Sequence, residues 1–350
     1  MTRIGYVPLH QSLRPPGDRR RFSGYAGRRG IDFVVVDDWR DVDVAVLSTE
    51  ADLLRWASAP SRIKMVLDLP DAFLDEPVSK RTRARGLAKW VAGPLSKPVL
   101  RHDRAMLRLV ARADAVVCST PEQAQNLGHH AGNVHVVLDD HSEVTPMAPR
   151  SWSDRKLSAV HLVWEGMFPT LGAVEQVLPG LRLLAEEEGV VLHLVTDRRP
   201  KRYMNRFLHH EVADVVAHWD LDVQLHDWDV ETLESVGRDC HLAIVPVVRS
   251  DPYALGKPEN RMRLFWRLGL PVLASDSPAH RRAVGLAGVA EDTLCGGASD
   301  WSQALRRYAS EPAACRAAAE AGHRAALGPY GSEAVMAAWD GVLASIGVQP

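Results

Sequence analysis

The stretch GKPENRMRLFWRLGLPVLAS, from Gly256 to Ser275, gathers Lys257, Asn260 and Arg261 at the front of a short helical pattern. Pro258 suits a first helical turn, where its missing N–H costs nothing, and Glu259 complements the positive end of the helix dipole. Gly269 suits the residue after the last turn and Pro271 prevents continuation, so the spacing predicts a helix from about Pro258 to Leu268. The first N–H groups of such a helix lack intrahelical partners and favour an anion, phosphate above all. Two cations and an amide on the same turn add to that preference. A solvated helix start that happens to be basic is the alternative.

A second group lies in DLPDAF, where Asp68 and Asp71 end a buried run. A carboxylate there can accept a proton from a substrate hydroxyl; alternatively Asp71 caps the next helix and Asp68 binds nearby backbone. Three Asp-x-Asp pairs occur, at 41/43, 220/222 and 227/229, close to the roughly two that ordinary composition produces by chance. They carry no metal signal. The four cysteines, Cys118, Cys240, Cys295 and Cys315, are scattered without metal-finger or redox spacing.

The elements that must position these groups are short apolar runs alternating with helical patterns. RIGYVPL (3–9), DFVVVDD (32–38), DVAVLST (43–49), KMVLDL (64–69), DAVVCST (114–120) and VHVVLDD (134–140) have the near-continuous apolar character of strands buried on both faces. HSEVTPMAPRSWSDRK then breaks the pattern, and the alternation resumes with AVHLVWEG (159–166), VVLHLVTD (190–197), DVQLHDWD (222–229), HLAIVPVV (241–248) and LPVLASD (270–276). The helix following 159–166 should kink at Pro179. The predicted architecture is α/β: two tandem doubly wound, Rossmann-like domains at 1–140 and 158–330, a linker at 141–157, and a C-terminal helix at 331–350 returning toward the first domain. Ligands should bind at the carboxyl edges of both sheets.

With 350 residues, 46% hydrophobic and 25% charged, the chain is long enough for two ordinary domains and unlike a disordered or fibrous protein. No run approaches a membrane span and the first residues lack a signal-peptide core, so cytoplasmic residence is expected. The net charge of −2 hides a local excess: ten Lys or Arg against one acid between Lys80 and Arg112, interleaved with Leu87, Trp90, Val91 and Leu95. That mixture can lay a helix on the anionic inner face of a membrane, or it is a solvated helix pair over the sheet. Nucleic-acid binding is not expected, since the chain is not basic overall.

The Lys257–Ser275 stretch resembles the signature of GT-B glycosyltransferases, the family 4-like retaining enzymes, in which K-x-x-N-K opens a helix ending in G-x-P-V-x-A-S; here these are Lys257, Asn260, Arg261, Gly269, Pro271, Val272, Ala274 and Ser275. Residues 111–127 resemble the last βα unit of that family's N-terminal domain. HLVWEGMFPTLGAVEQVLPGLRLL resembles the first unit of its C-terminal domain, and VQLHDWDVETL with CHLAIVPV resembles the strands before the donor loop. The resemblance implies GT-B architecture and metal-independent transfer, with retention, of a sugar from a nucleoside-diphosphate-sugar donor to a glycan, lipid-linked or small-molecule acceptor. It needs no further cofactor. It places the donor diphosphate on Lys257, Asn260 and Arg261 and against the turn at Gly166, with Arg198 in reach. His226 and Trp228 would border the base, and Asp68 or Asp71 would face the acceptor. One position departs from the pattern: Leu264 stands where many relatives carry a glutamate that holds the donor ribose. A protein that binds nucleotide or glycan without turnover, or a sugar-nucleotide epimerase of the same fold, are the alternatives.

Overall fold

The computed structural model describes residues 2–72, 99, 101–150, 159–197 and 211–349. They form two compact units, 1–140 with 256–258 and 332–350, and 141–255 with 259–331. The first holds a six-stranded parallel sheet of β1 (Ile4–Val7), β2 (Phe33–Val35), β3 (Val44–Leu47), β4 (Lys64–Leu69), β5 (Ala115–Cys118) and β6 (Val134–Val136), in the order β2-β1-β3-β4-β5-β6. The inner strands β1, β3 and β5 are buried at every residue, as their unbroken apolar runs predict, because helices cover both faces of a parallel sheet. The strand order reverses between β1 and β3, and such reversals leave a crevice at the carboxyl edge.

The helix Ser332–Ser345 belongs to this unit. Trp339 stacks on Tyr25 with ring centroids 5.8 Å apart and meets Phe22 edge-on at 5.8 Å, while Tyr25 donates its hydroxyl to Asp340 at 2.8 Å. The last helix thus closes one face of the sheet with aromatic surface.

The second unit repeats the plan with β7 (Val160–Glu165), β8 (Val190–Thr196), β9 (Asp222–Asp227), β10 (Leu242–Val245), β11 (Val272–Ser275) and β12 (Leu294–Cys295), all parallel, in the order β12-β11-β10-β7-β8-β9. Its first strand lies between the second and the fourth, so the switch point falls between β7 and β10. Pro179 does not kink a helix: it sits in the first turn of Leu178–Glu188, after a 3₁₀ stretch at Phe168–Gln176, where a missing N–H is harmless. The segment 141–150 packs within the second unit, with Met147 N–H on the Arg267 carbonyl at 3.0 Å and Arg267 Nε on the Val144 carbonyl at 2.5 Å. All four cysteines are buried thiols.

The helix expected over Pro258–Leu268 runs Asn260–Arg267 and is followed by Gly269 at φ +71°, where an added Cβ would lie 2.4 Å from the Met147 carbonyl oxygen. Left-handed strain and the backbone clash act together. Gly269→Ala should therefore lower unfolding stability by about 3 kcal/mol, read as a lower urea midpoint at unchanged slope. A variant within 0.5 kcal/mol of the parent, roughly the range of neutral surface substitutions, would contradict this.

Candidate functional site

The carboxyl edge of the second sheet beside its switch point gathers three side chains of complementary chemistry. Glu165 closes β7, and its carboxylate accepts the indole N–H of Trp228, one residue past β9, at 2.8 Å. The Glu165 carbonyl accepts Nη1 of Arg261 at 3.3 Å, and Arg261 is the second residue of the helix Asn260–Arg267 that follows β10. All three side chains are half-buried. Among the described residues Arg261 makes no ion pair; burial pulls its pKa down, with the Glu165 charge opposing. A guanidinium without an ion-pair partner among the described residues, its desolvation opposed only by the Glu165 charge, at a helix N-terminus whose own amides favour anions, has the chemistry to hold an anion.

The neighbouring groups hold this edge rigid. Ser275 Oγ accepts the Val247 N–H at 2.9 Å, and buried His280 donates Nδ1–H to the Ser275 carbonyl at 2.8 Å. Burial pushes His280 down to about 4, so it stays neutral. Glu259, 1% exposed, accepts the Tyr330 hydroxyl at 3.0 Å and Arg282 at 3.3 Å, which commits its carboxylate to the interior. Asn260 accepts Arg263 Nη1 at 3.2 Å.

No protein-family model and no curated protein sequence matches the chain. Solved structures do. Anabaena HepE, solved with UDP and glucose, superposes over 99% of this chain and 100% of its own, with a TM-score of 0.66 at 12% identity. WaaG, a glycosyltransferase of lipopolysaccharide biosynthesis, matches over 96% and 85% with a TM-score of 0.55, also at 12% identity. The chain has the GT-B fold. TarM matches over 85% of this chain at a TM-score of 0.58 and 11% identity, the chain spanning about half (54%) of TarM's length.

Within this GT-B frame the sequence-predicted residues separate. Arg261 and Trp228 come together through Glu165, and Asn260 opens the same helix. Gly166 follows Glu165, but a Cβ there would meet Trp164 at 2.7 Å and Thr170 at 2.8 Å, so packing of the turn already requires glycine. Lys257 groups with the first unit, where the carbonyl of its neighbour Gly256 accepts Gln123 Nε2 at 3.0 Å. Arg198 lies outside the described residues, as do Leu87, Trp90, Val91 and Leu95 of the basic run. The helix His102–Arg112 at the end of that run buries Ala105, Met106, Leu109 and Val110. Among the described residues no helix is long and apolar enough to cross a membrane.

In the first unit Asp68, 5% exposed, is gripped by Arg21: Nε lies 2.9 and 2.7 Å from its two oxygens and Nη2 2.5 Å from Oδ1. Arg21 also reaches Asp139 at 3.0 Å, the Val137 carbonyl at 3.1 Å and Ser119 Oγ at 3.3 Å. Burial, and after it the charges of Asp139 and Asp18, push the Asp68 carboxyl up, and the Arg21 guanidinium opposes them; a fork this close keeps both charged. The expectation that Asp68 serves as a proton acceptor therefore meets a carboxylate whose oxygens are already engaged in the interior. Asp71, two residues past β4, is half-buried. Asp18, wholly buried, accepts the Tyr6 hydroxyl and the N–H groups of Leu9 and His10 at 2.8, 2.8 and 3.1 Å, fixing the loop after β1.

Sequence reasoning missed Glu165, Arg21 and Asp18. Glu165 had a signal, an acid closing an apolar strand at the ligand edge. Arg21 had none, because DRRRF reads as a solvated run.

His226 joins a row of imidazoles across the sheet. His161 Nδ1 lies 2.9 Å from His193 Nε2, and His193 Nδ1 lies 3.0 Å from His226 Nε2, with ring centroids 5.2 and 5.3 Å apart. Each N···N bond needs one bare nitrogen, and a proton added to His193 makes it the donor in both bonds, which requires His161 Nδ1 and His226 Nε2 both to be bare. Burial, then the charges His161 and His226 would carry, hold His193 down to about 4 against an ordinary 6.5. The unfolded chain takes up this proton first, so the contribution is complete above pH 6.5 and is lost as pH falls toward 4. Unfolding free energy should drop by about 1–2 kcal/mol between pH 7 and pH 4.5 beyond the change in a His193→Gln variant. Parallel urea curves for both proteins across that range would refute it.

Proposed function

We propose that this chain is a glycosyltransferase that moves a sugar from a nucleoside-diphosphate-sugar donor to a hydroxyl of a glycan, lipid-linked or small-molecule acceptor, without a metal and with retention of configuration. Arg261 carries the proposal: it is a guanidinium desolvated at a helix N-terminus, beside the switch point, without an ion-pair partner among the described residues. Glycosyl transfer builds charge on the leaving diphosphate. A preorganised cation and helix amides stabilise that charge most where water is excluded. Trp228 offers a ring for the donor base and is held by Glu165. The UDP and glucose of HepE, on the same fold, agree with this reading. On the acceptor side, Asp71 is the proposed carboxylate, since Asp68 is held by Arg21.

The test is a thermal-shift panel of UDP, GDP, ADP, CDP and dTDP, followed by release of nucleoside diphosphate from the matching sugar nucleotides. A ligand at 100 times its Kd should add about 2.7 kcal/mol of stability, and one member of the panel should stand out. No shift with any nucleotide, together with no release from any donor, would end the proposal.

A further inference from the structure

We propose that Glu165 supplies the carboxylate that accepts the ribose hydroxyls of the donor; this rests on the nucleotide-donor reading above. The residue at the position from which relatives are expected to do this, Leu264, is 1% exposed and apolar, so it offers no acceptor. Glu259, the nearest acid in that segment, is turned inward to Tyr330 and Arg282. Glu165 stands between the two groups that would hold the ends of a nucleoside diphosphate. Its carboxylate touches the Trp228 indole at 2.8 Å and its carbonyl touches the Arg261 guanidinium at 3.3 Å.

The order Trp228, Glu165, Arg261 is the order of base, sugar and phosphate along the ligand: an aromatic face, an acceptor of two hydroxyls, and a cation. A carboxylate has about four acceptor positions over its two oxygens, and the indole N–H is held on Oε1 at 2.8 Å. Charge-assisted bonds from a vicinal diol are of the stronger kind. The same side chain that reads the ribose then also fixes the plane of the ring, which ties base and sugar recognition to one residue at the end of β7.

Calorimetric titration of the full chain with UDP, GDP and ADP and with their 2′-deoxy counterparts tests this. For the base that binds best, the parent protein should prefer the ribonucleotide by about tenfold, the loss expected for one hydrogen bond to a charged group. Glu165→Ala should bring that preference close to one. Trp228→Phe, which keeps a ring and leaves the carboxylate in place, should weaken both forms alike and keep the preference. Should Glu165→Ala fail to fold, Glu165→Gln, isosteric and uncharged, carries the same comparison and should reduce the preference to about threefold. A tenfold preference that survives in the Glu165 variants overturns the assignment while leaving the donor reading intact. Equal binding of both forms by the parent does the same. A parent that binds no nucleotide brings down both.

Discussion

Arg21→Met is expected to cost the first unit about 3–5 kcal/mol of unfolding stability at pH 8, and clearly less at pH 5. The guanidinium is 1% exposed and pairs with both Asp68 and Asp139, whose side chains are 7% and 13% exposed. Asp68 pushes the Arg21 pKa up against the burial that opposes it, so the cation is present at every accessible pH. Removing it leaves two carboxylates facing each other out of water. One of them must bind a proton to relieve this, so in the variant the folded-state pKa rises above the unfolded value near 3.9. A carboxyl raised in this way favours folding at low pH and penalises it once pH passes the raised value. The deficit therefore grows from pH 5 to pH 8, whereas a simple packing defect would be flat. Pairing Arg21→Met with Asp68→Leu should recover much of the loss, because neither charge is then left unpaired. Urea midpoints of the three proteins at both pH values decide the matter, and a pH-independent deficit in the single variant would rule this account out.

The inner strands were legible because burial on both faces forces unbroken apolar runs; the edge strands β2, β6 and β9 are partly exposed. KMVLDL is β4 residue for residue, and β7 to β11 fall inside their predicted runs. What escaped has physical reasons. The two residues of β12, Leu294–Cys295, are too short for any pattern. Pro179 allows either a kink or a helix start, and only the 3₁₀ stretch before it selects the start. Arg21 and Asp68 are 47 positions apart, a pairing that depends on the strand order β1-β3-β4 and not on periodicity. The imidazole row is of the same kind: His161 and His193 look like isolated polar residues in apolar strands and His226 like one more polar residue of an edge strand, and the registers β7–β8 and β8–β9 bring them together. The cation-bearing start of the helix Asn260–Arg267 was legible, since such a turn announces itself locally. Glu165 lies 96 positions before Arg261 and could be found only in three dimensions.

Arg261→Ala should lower the rate of sugar transfer by about 10²–10³-fold, the loss seen when one preorganised group is removed from a developing charge. The larger part should fall on kcat, because the leaving diphosphate gains charge between the bound donor and the transition state, and an interaction that strengthens along that path lowers the barrier rather than KM. Arg261→Lys should recover part of the rate, since a compact ammonium replaces the charge but not the planar fork that grips two phosphate oxygens. Stability should move the other way. Arg261 is desolvated with its pKa pulled down and without an ion pair among the described residues, so its removal relieves a cost that the fold bears for the ligand, and the variant should be as stable as the parent or slightly more so. Arg21 and Arg261 thus form an internal contrast: one guanidinium is spent on ion pairs of the fold, and the other is the one proposed for a ligand. Matched thermal unfolding and donor-turnover measurements on Arg261→Ala would separate these uses. A variant that unfolds several degrees earlier while turning over donor at the parent rate would show that Arg261, too, is structural.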